Sequence, residues 1–114
     1  MADKNKRVND RISSKNLISY VCTDDTNEIV ETGMGRTLNV SESGIMLETH
    51  NNIDNNLNIL LSIGLEDSLI DIKGKIVHSQ LDDKGKHNVG IQFMELDKNT
   101  RLQLSKFIKA FKSS

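Results

Sequence analysis

The sequence predicts a mainly β fold, an antiparallel barrel or sandwich followed by one C-terminal helix. Three observations carry that prediction: short apolar runs with a period of two, turn residues recurring between them, and a single switch to helical period at the C-terminus.

Leu17 to Thr23 holds Ile18, Tyr20, Val21 and Cys22, a β-prone run that stops at the acidic turn Asp24-Asp25. Glu28 to Leu38 reads as a second strand or a bent pair, with Gly33 and Gly35 marking a bend or bulge. Asn39 to Gly44 is dense in turn residues, and Ile45, Met46 and Leu47 then open another strand. The stretch Asn51 to Asn56 reads as a loop. Leu57, Ile59, Leu61 and Ile63 alternate strictly, which puts four apolar side chains on one face of a half-buried strand. Ile70, Ile72, Ile76 and Val77 form a further strand with Gly74 inside it as a bulge. Asp82 to Gly85 is a hairpin turn, and Val89, Ile91 and Phe93 alternate again. Beyond them Asp97 is placed to cap a helix whose Leu104, Phe107, Ile108 and Phe111 fall at i, i+3, i+4 and i+7. That stripe is expected to pack on the sheet, with the lysines facing water.

The chain has 114 residues, the size of one domain. Aromatics are only 4% and Trp is absent, so the core must be built from Ile, Leu and Val. Cys22 is the single cysteine and has no intramolecular disulfide partner, and no charged start followed by an apolar run suggests a signal peptide. A cytoplasmic location is expected. The longest apolar stretch, Leu57 to Leu65, is interrupted by Asn58, Ser62 and Gly64 and is too short for a membrane span, so no membrane insertion is expected.

Charge is segregated along the chain. Residues 1 to 15 carry Lys4, Lys6, Arg7, Arg11 and Lys15 against Asp3 and Asp10, while residues 98 to 112 carry Lys98, Arg101, Lys106, Lys109 and Lys112 with no acid. Since the net charge is −1, the body between them is acidic. Basic ends on an acidic body favour a local anionic ligand over a nucleic-acid footprint across the whole surface. Residues 1 to 15 have almost no apolar side chain and are expected to form a flexible arm, with the folded domain occupying 16 to 114.

Two short motifs stand out. Arg7-Val8-Asn9-Asp10-Arg11 places an arginine pair four apart, preceded by Lys6. Guanidinium groups stay charged, offer a planar fork of donors that matches phosphate or the O6/N7 edge of guanine, and stack on purine faces. Taken alone, the pair reads equally as a solvated basic tail. Asn39-Val40-Ser41-Glu42-Ser43-Gly44 lies between two strands. An Asn amide both donates and accepts, a Ser hydroxyl can bond phosphate, and Gly44 permits positive φ and close approach of a ligand. Taken alone, this is an ordinary polar hairpin loop.

In this order, and followed by Asn88-Val89-Gly90-Ile91-Gln92-Phe93, the two motifs resemble the PilZ domain family, whose signature is Arg-x-x-x-Arg near the start and Asp/Asn-x-Ser-x-x-Gly after the second strand. The resemblance runs from Lys6 to the C-terminal helix. It implies a six-stranded antiparallel split barrel with a C-terminal α-helix, and a receptor for the bacterial second messenger cyclic di-GMP. It implies that Arg7 and Arg11 contact guanine and phosphate groups, that Asn39, Ser41 and Gly44 line the opposite wall, and that Lys6, Ser43 and His78 are further candidates. A His78 ring could stack on guanine, or stand as an exposed strand-end residue. Family members bind one ligand molecule or a stacked pair, and the sequence leaves both open.

The same resemblance implies that ligand orders the arm and that the signal passes to a downstream protein. No cofactor beyond the ligand is expected, and no DNA or RNA partner. His50, His87 and Cys22 show no metal-ligand spacing. Gly33-Met34-Gly35 lacks the rest of a dinucleotide fingerprint, Cys22 sits in a predicted strand as a small hydrophobe, and Asp24-Asp25, Glu66-Asp67 and Asp82-Asp83 fall at turns, so an enzyme is not expected. Two rival readings are a PilZ-like adaptor that binds no nucleotide, for example in pilus assembly, and a small barrel for single-stranded nucleic acid. The intact motifs oppose the first, and the scarcity of aromatics opposes the second.

Overall fold

The structure is a computed structural model and describes residues 17–64 and 68–113. The arginine-bearing arm and the Glu66-Asp67 turn lie outside the described residues. Six strands, β1 (Leu17–Thr23), β2 (Ile29–Val40), β3 (Gly44–Thr49), β4 (Asn58–Gly64), β5 (Leu69–Leu81) and β6 (His87–Met94), precede one helix, α1 (Lys98–Ser113). Every pairing is antiparallel, and the strands close into a barrel in the order β1-β2-β3-β6-β5-β4. Of the two architectures that period-two patterning allows, the chain adopts the barrel.

Alternation decides which side chains go inside. Ile18, Tyr20 and Cys22 of β1, Ile59, Leu61 and Ile63 of β4, and Val89, Ile91 and Phe93 of β6 all point inward and are buried. Cys22 is a buried thiol, and that burial, followed by the nearby Glu31 carboxylate, pushes its pKa up to about 11. Leu104 and Phe107 of α1 are buried with this core, and Ile108 and Phe111 pack against it. Asp97 caps the helix by accepting from the Thr100 amide at 2.7 Å.

The structure corrects the sequence reading at its glycines. Gly33, Gly35 and Gly74 were natural places for bulges, yet each is paired in register, Gly33 with Tyr20, Gly35 with Ile18 and Gly74 with Ile59 and Phe93. Their reason is space: a β-carbon on Gly74 would lie 2.5 Å from Ile91 Cγ2, and one on Gly33 would lie 2.7 Å from the Tyr20 hydroxyl. The register shifts fall instead at Val30, between Ile29 and Glu31 against β1, at Leu38, between Thr37 and Asn39 against β3, and at Val77, between Ile76 and His78 against β6. Val77 is 55% exposed as a result. The Asn-rich loop also departs from a purely polar reading, because Ile53 within it is fully buried and closes part of the core.

Candidate ligand-binding site

The bulges at Leu38 and Val77 build the site. In β2 the inward positions run Gly35, Thr37 and then Val40, because the extra residue Leu38 breaks the alternation and turns Asn39 outward. In β5 they run Ile72, Gly74, Ile76 and then the half-buried Ser79, because Val77 turns His78 outward in the same way. Asn39 pairs with Met46, Met46 with Gly90, and Gly90 with His78. Four strands therefore carry one continuous row across the outer barrel wall: amide, thioether, bare backbone, imidazole.

Gly90 is the low point of the row. A β-carbon there would come 3.1 Å from His78 Cβ and 3.6 Å from Met46 Cε, so the absence of a side chain lets its neighbours approach each other. Gly90 itself is buried, so the partly buried Met46 side chain and the exposed His78 ring make the surface of the row there, an apolar group and a ring suited to the face of a planar heterocycle. Asn39 is exposed, and its Oδ1 accepts from the Val40 amide at 3.0 Å. His78 is exposed, and its imidazole forms no hydrogen bond with a described residue. It lies within β5, which runs on to Leu81, and not at a strand end as expected from sequence.

Beside Asn39 the chain turns through Ser41, Glu42 and Ser43. The Ser41 amide donates to the Gly44 carbonyl at 2.9 Å, the Ser43 amide donates to Ser41 Oγ at 3.3 Å, and the two serine hydroxyls are 3.2 Å apart. Phe93 of β6 donates its amide to the Ser43 carbonyl at 2.9 Å, which fastens the turn to the barrel. Both serine side chains remain exposed as a local cluster of hydroxyls. Asn39 belongs to β2 and not to the turn, a correction to the sequence reading. So is the role of Gly44: its φ is not positive, and its lack of a side chain accommodates the Ile91 carbonyl.

One step along the strands lies a charged row that the sequence did not single out. Arg36 of β2 donates from Nε to Glu48 Oε1 of β3 at 3.2 Å, and Lys86 Nζ approaches the same oxygen at 3.8 Å. Leu17, the first described residue, pairs with Arg36 on the other side. The structure thus joins Asn39, Ser41, Ser43, Gly44 and His78 on adjoining parts of one wall, while Lys6, Arg7 and Arg11 lie outside the described residues. A shallow cleft of about 520 Å³ at the β3–β4 loop, lined by Asn52, Ile53 and Ser79 among others, holds none of these residues. Among the described residues no three His, Cys, Asp or Glu side chains gather as a metal site, and no helix is long and apolar enough to cross a membrane.

The described residues thus form a small closed barrel with a row of polar and apolar side chains on its outer wall. The sequence matches the PilZ domain over residues 5–110, and the chain belongs to that family. Solved structures share the fold. The PilZ domain of YcgR from Escherichia coli, described with c-di-GMP, is 12% identical with a TM-score of 0.57, covering 84% of this chain and 82% of that one. The PilZ domain of CeSA from a cellulose-synthesizing bacterium is 8% identical with a TM-score of 0.58, covering 84% and 93%. MrkH of K. pneumonia in its apo state is 14% identical with a TM-score of 0.60, covering 86% of this chain and 47% of that one. No curated protein matches the sequence.

Proposed function

We propose that this protein is a cyclic di-GMP receptor that binds its ligand against the Asn39–Met46–Gly90–His78 row and closes Arg7 and Arg11 over it. The observation that carries the reading is the convergence of that row with the Ser41–Ser43 turn on the wall where the N-terminal segment begins. Membership of the PilZ family, with a match that starts before Lys6, supports it. Asn39 and the serine hydroxyls supply neutral donors and acceptors for a guanine edge or a phosphate, and Met46 with the His78 ring takes a ring face.

Covalent reach permits the closure. Leu17 pairs with Arg36, and Asn39 lies three residues further along β2, about 10 Å in an extended strand. Arg11 is six residues before Leu17, a length that spans up to about 20 Å, and Arg7 has more slack still. On binding, the two guanidinium groups neutralise the ligand phosphates and the arm is held against the barrel, forming a new surface for a downstream protein. Such a receptor acts in the cytoplasm and performs no chemistry on its ligand.

Calorimetric titration with cyclic di-GMP tests the reading. Wild type binds, and Arg7→Ala, Arg11→Ala and Asn39→Ala each weaken binding by about tenfold or more, the scale of one lost charge-assisted or specific hydrogen bond. Undiminished binding by both arginine variants removes the arm from the site. Absence of binding by wild type at high micromolar ligand returns the protein to the adaptor reading.

A further inference from the structure

We infer that Arg36, with Lys86 beside it, is a second phosphate-binding element of the same site, one that the Arg-x-x-x-Arg and Asn-x-Ser-x-x-Gly motifs do not include. The inference rests on the nucleotide-receptor reading above. Its first support is placement. Because Leu38 bulges, Arg36 and Asn39 face the same side of β2 although they are three positions apart, and their β3 partners Glu48 and Met46 are two apart on that face. The charged row therefore borders the ligand row directly, about 7 Å away along the strands.

Its second support is the order of charges. Arg36 and Lys86 both face the Glu48 carboxylate, at 3.2 and 3.8 Å, and Lys86 also interacts with the Asp82 carboxylate in its own turn. Glu48 is only 11% exposed, whereas Arg36 and Lys86 are 51% and 41% exposed. An approaching anion meets the cations first and the acid last. Glu48 engages Arg36 through Nε, so the terminal Nη groups donate to no described residue. A guanidinium steadied at Nε and open at its fork is preorganised for a bidentate phosphate contact, and less side-chain entropy is lost on binding.

The test is titration of wild type, Arg36→Ala, Arg36→Lys and the outer-wall control Thr32→Ala with cyclic di-GMP at several salt concentrations, with thermal melts of each unliganded protein. Arg36→Ala is expected to melt like wild type, to bind about tenfold more weakly, and to reduce the slope of log affinity against log salt by about one. Arg36→Lys keeps that slope and loses part of the affinity, and Thr32→Ala changes neither. Arg36→Ala that matches wild type in affinity and slope overturns the inference and leaves the receptor reading standing. If wild type itself binds no cyclic di-GMP, the receptor reading falls instead. Inorganic pyrophosphate then becomes the probe, and the inference requires the Arg36 Nε–Hε resonance to shift on its addition, an unmoved resonance overturning it.

Discussion

Gly44 lies against the main-chain carbonyl of Ile91, so close that a β-carbon on it would collide with the oxygen. The obstacle is backbone of the neighbouring strand and cannot swing aside. Gly44→Ala is therefore expected to lower the unfolding free energy by about 1–3 kcal/mol, whether or not ligand is present. Gly64→Ala, where the added carbon meets nothing within 4 Å, is expected to change it by no more than about 0.5 kcal/mol. Urea denaturation of the two variants makes the comparison. It also separates a barrel role for Gly44 from a ligand role, since binding by the folded fraction of Gly44→Ala reads the second alone.

Ile53 closes the core from within a polar loop and is fully buried. Truncation to alanine leaves a cavity that the surrounding strands fill only in part, so Ile53→Ala is expected to cost about 2–5 kcal/mol. The neighbouring exposed Asn55 is a control whose replacement by alanine leaves the denaturation midpoint near wild type.

The Cys22 thiol, buried and with its pKa pushed up to about 11, is protonated and shielded throughout the physiological range. Native protein at pH 8 is expected to resist a disulfide-exchange reagent over the time in which denaturant-unfolded protein reacts completely. Prompt labelling of the native state would mean that β1 and β4 separate readily.

Three aspartates tie down turns. The Thr26 hydroxyl, with the Glu28 amide, holds Asp24 below the usual carboxylate range, the Lys86 amide does so for Asp82, and the Thr100 amide for Asp97. A depressed folded-state pKa means that the unfolded chain takes up protons first as pH falls. Their contribution is therefore complete above the ordinary carboxylate pKa of about 4 and disappears as pH drops through the lower folded values. Thermal melts from pH 6 to pH 2 are expected to show this loss, and Asp97→Asn is expected to flatten the part that comes from the helix cap.

Most of the barrel was legible because Ile59, Leu61 and Ile63, or Val89, Ile91 and Phe93, obey a strict period of two. A bulge is different, since it belongs to the register between two strands and leaves no mark in either one alone. Val77 was accordingly read as an ordinary strand residue, while Gly33 and Gly35 were read as a bend or bulge and Gly74 as a bulge, because a strand glycine signals close approach and irregularity alike. Ile53 escaped notice because one apolar residue among asparagines has no period. At the site, Asn39, Ser41, Ser43 and Gly44 were readable as a motif, and His78 was a candidate through the family resemblance. Met46, Gly90 and Arg36 were not found, because their membership of one wall depends on which face each strand presents after Leu38 and Val77.

Leu38 and Val77 are surplus to the pairing: Thr37 and Asn39 meet the consecutive Leu47 and Met46, and Ile76 and His78 meet the consecutive Ile91 and Gly90. Deleting either residue would therefore leave Asn39 or His78 facing outward in an unbroken ladder. Flattening a bulge while keeping its residue would do the opposite and turn Asn39 or His78 towards the interior, so it is the irregularity of the ladder that lets strands of this length keep an apolar lining and a polar outer row together.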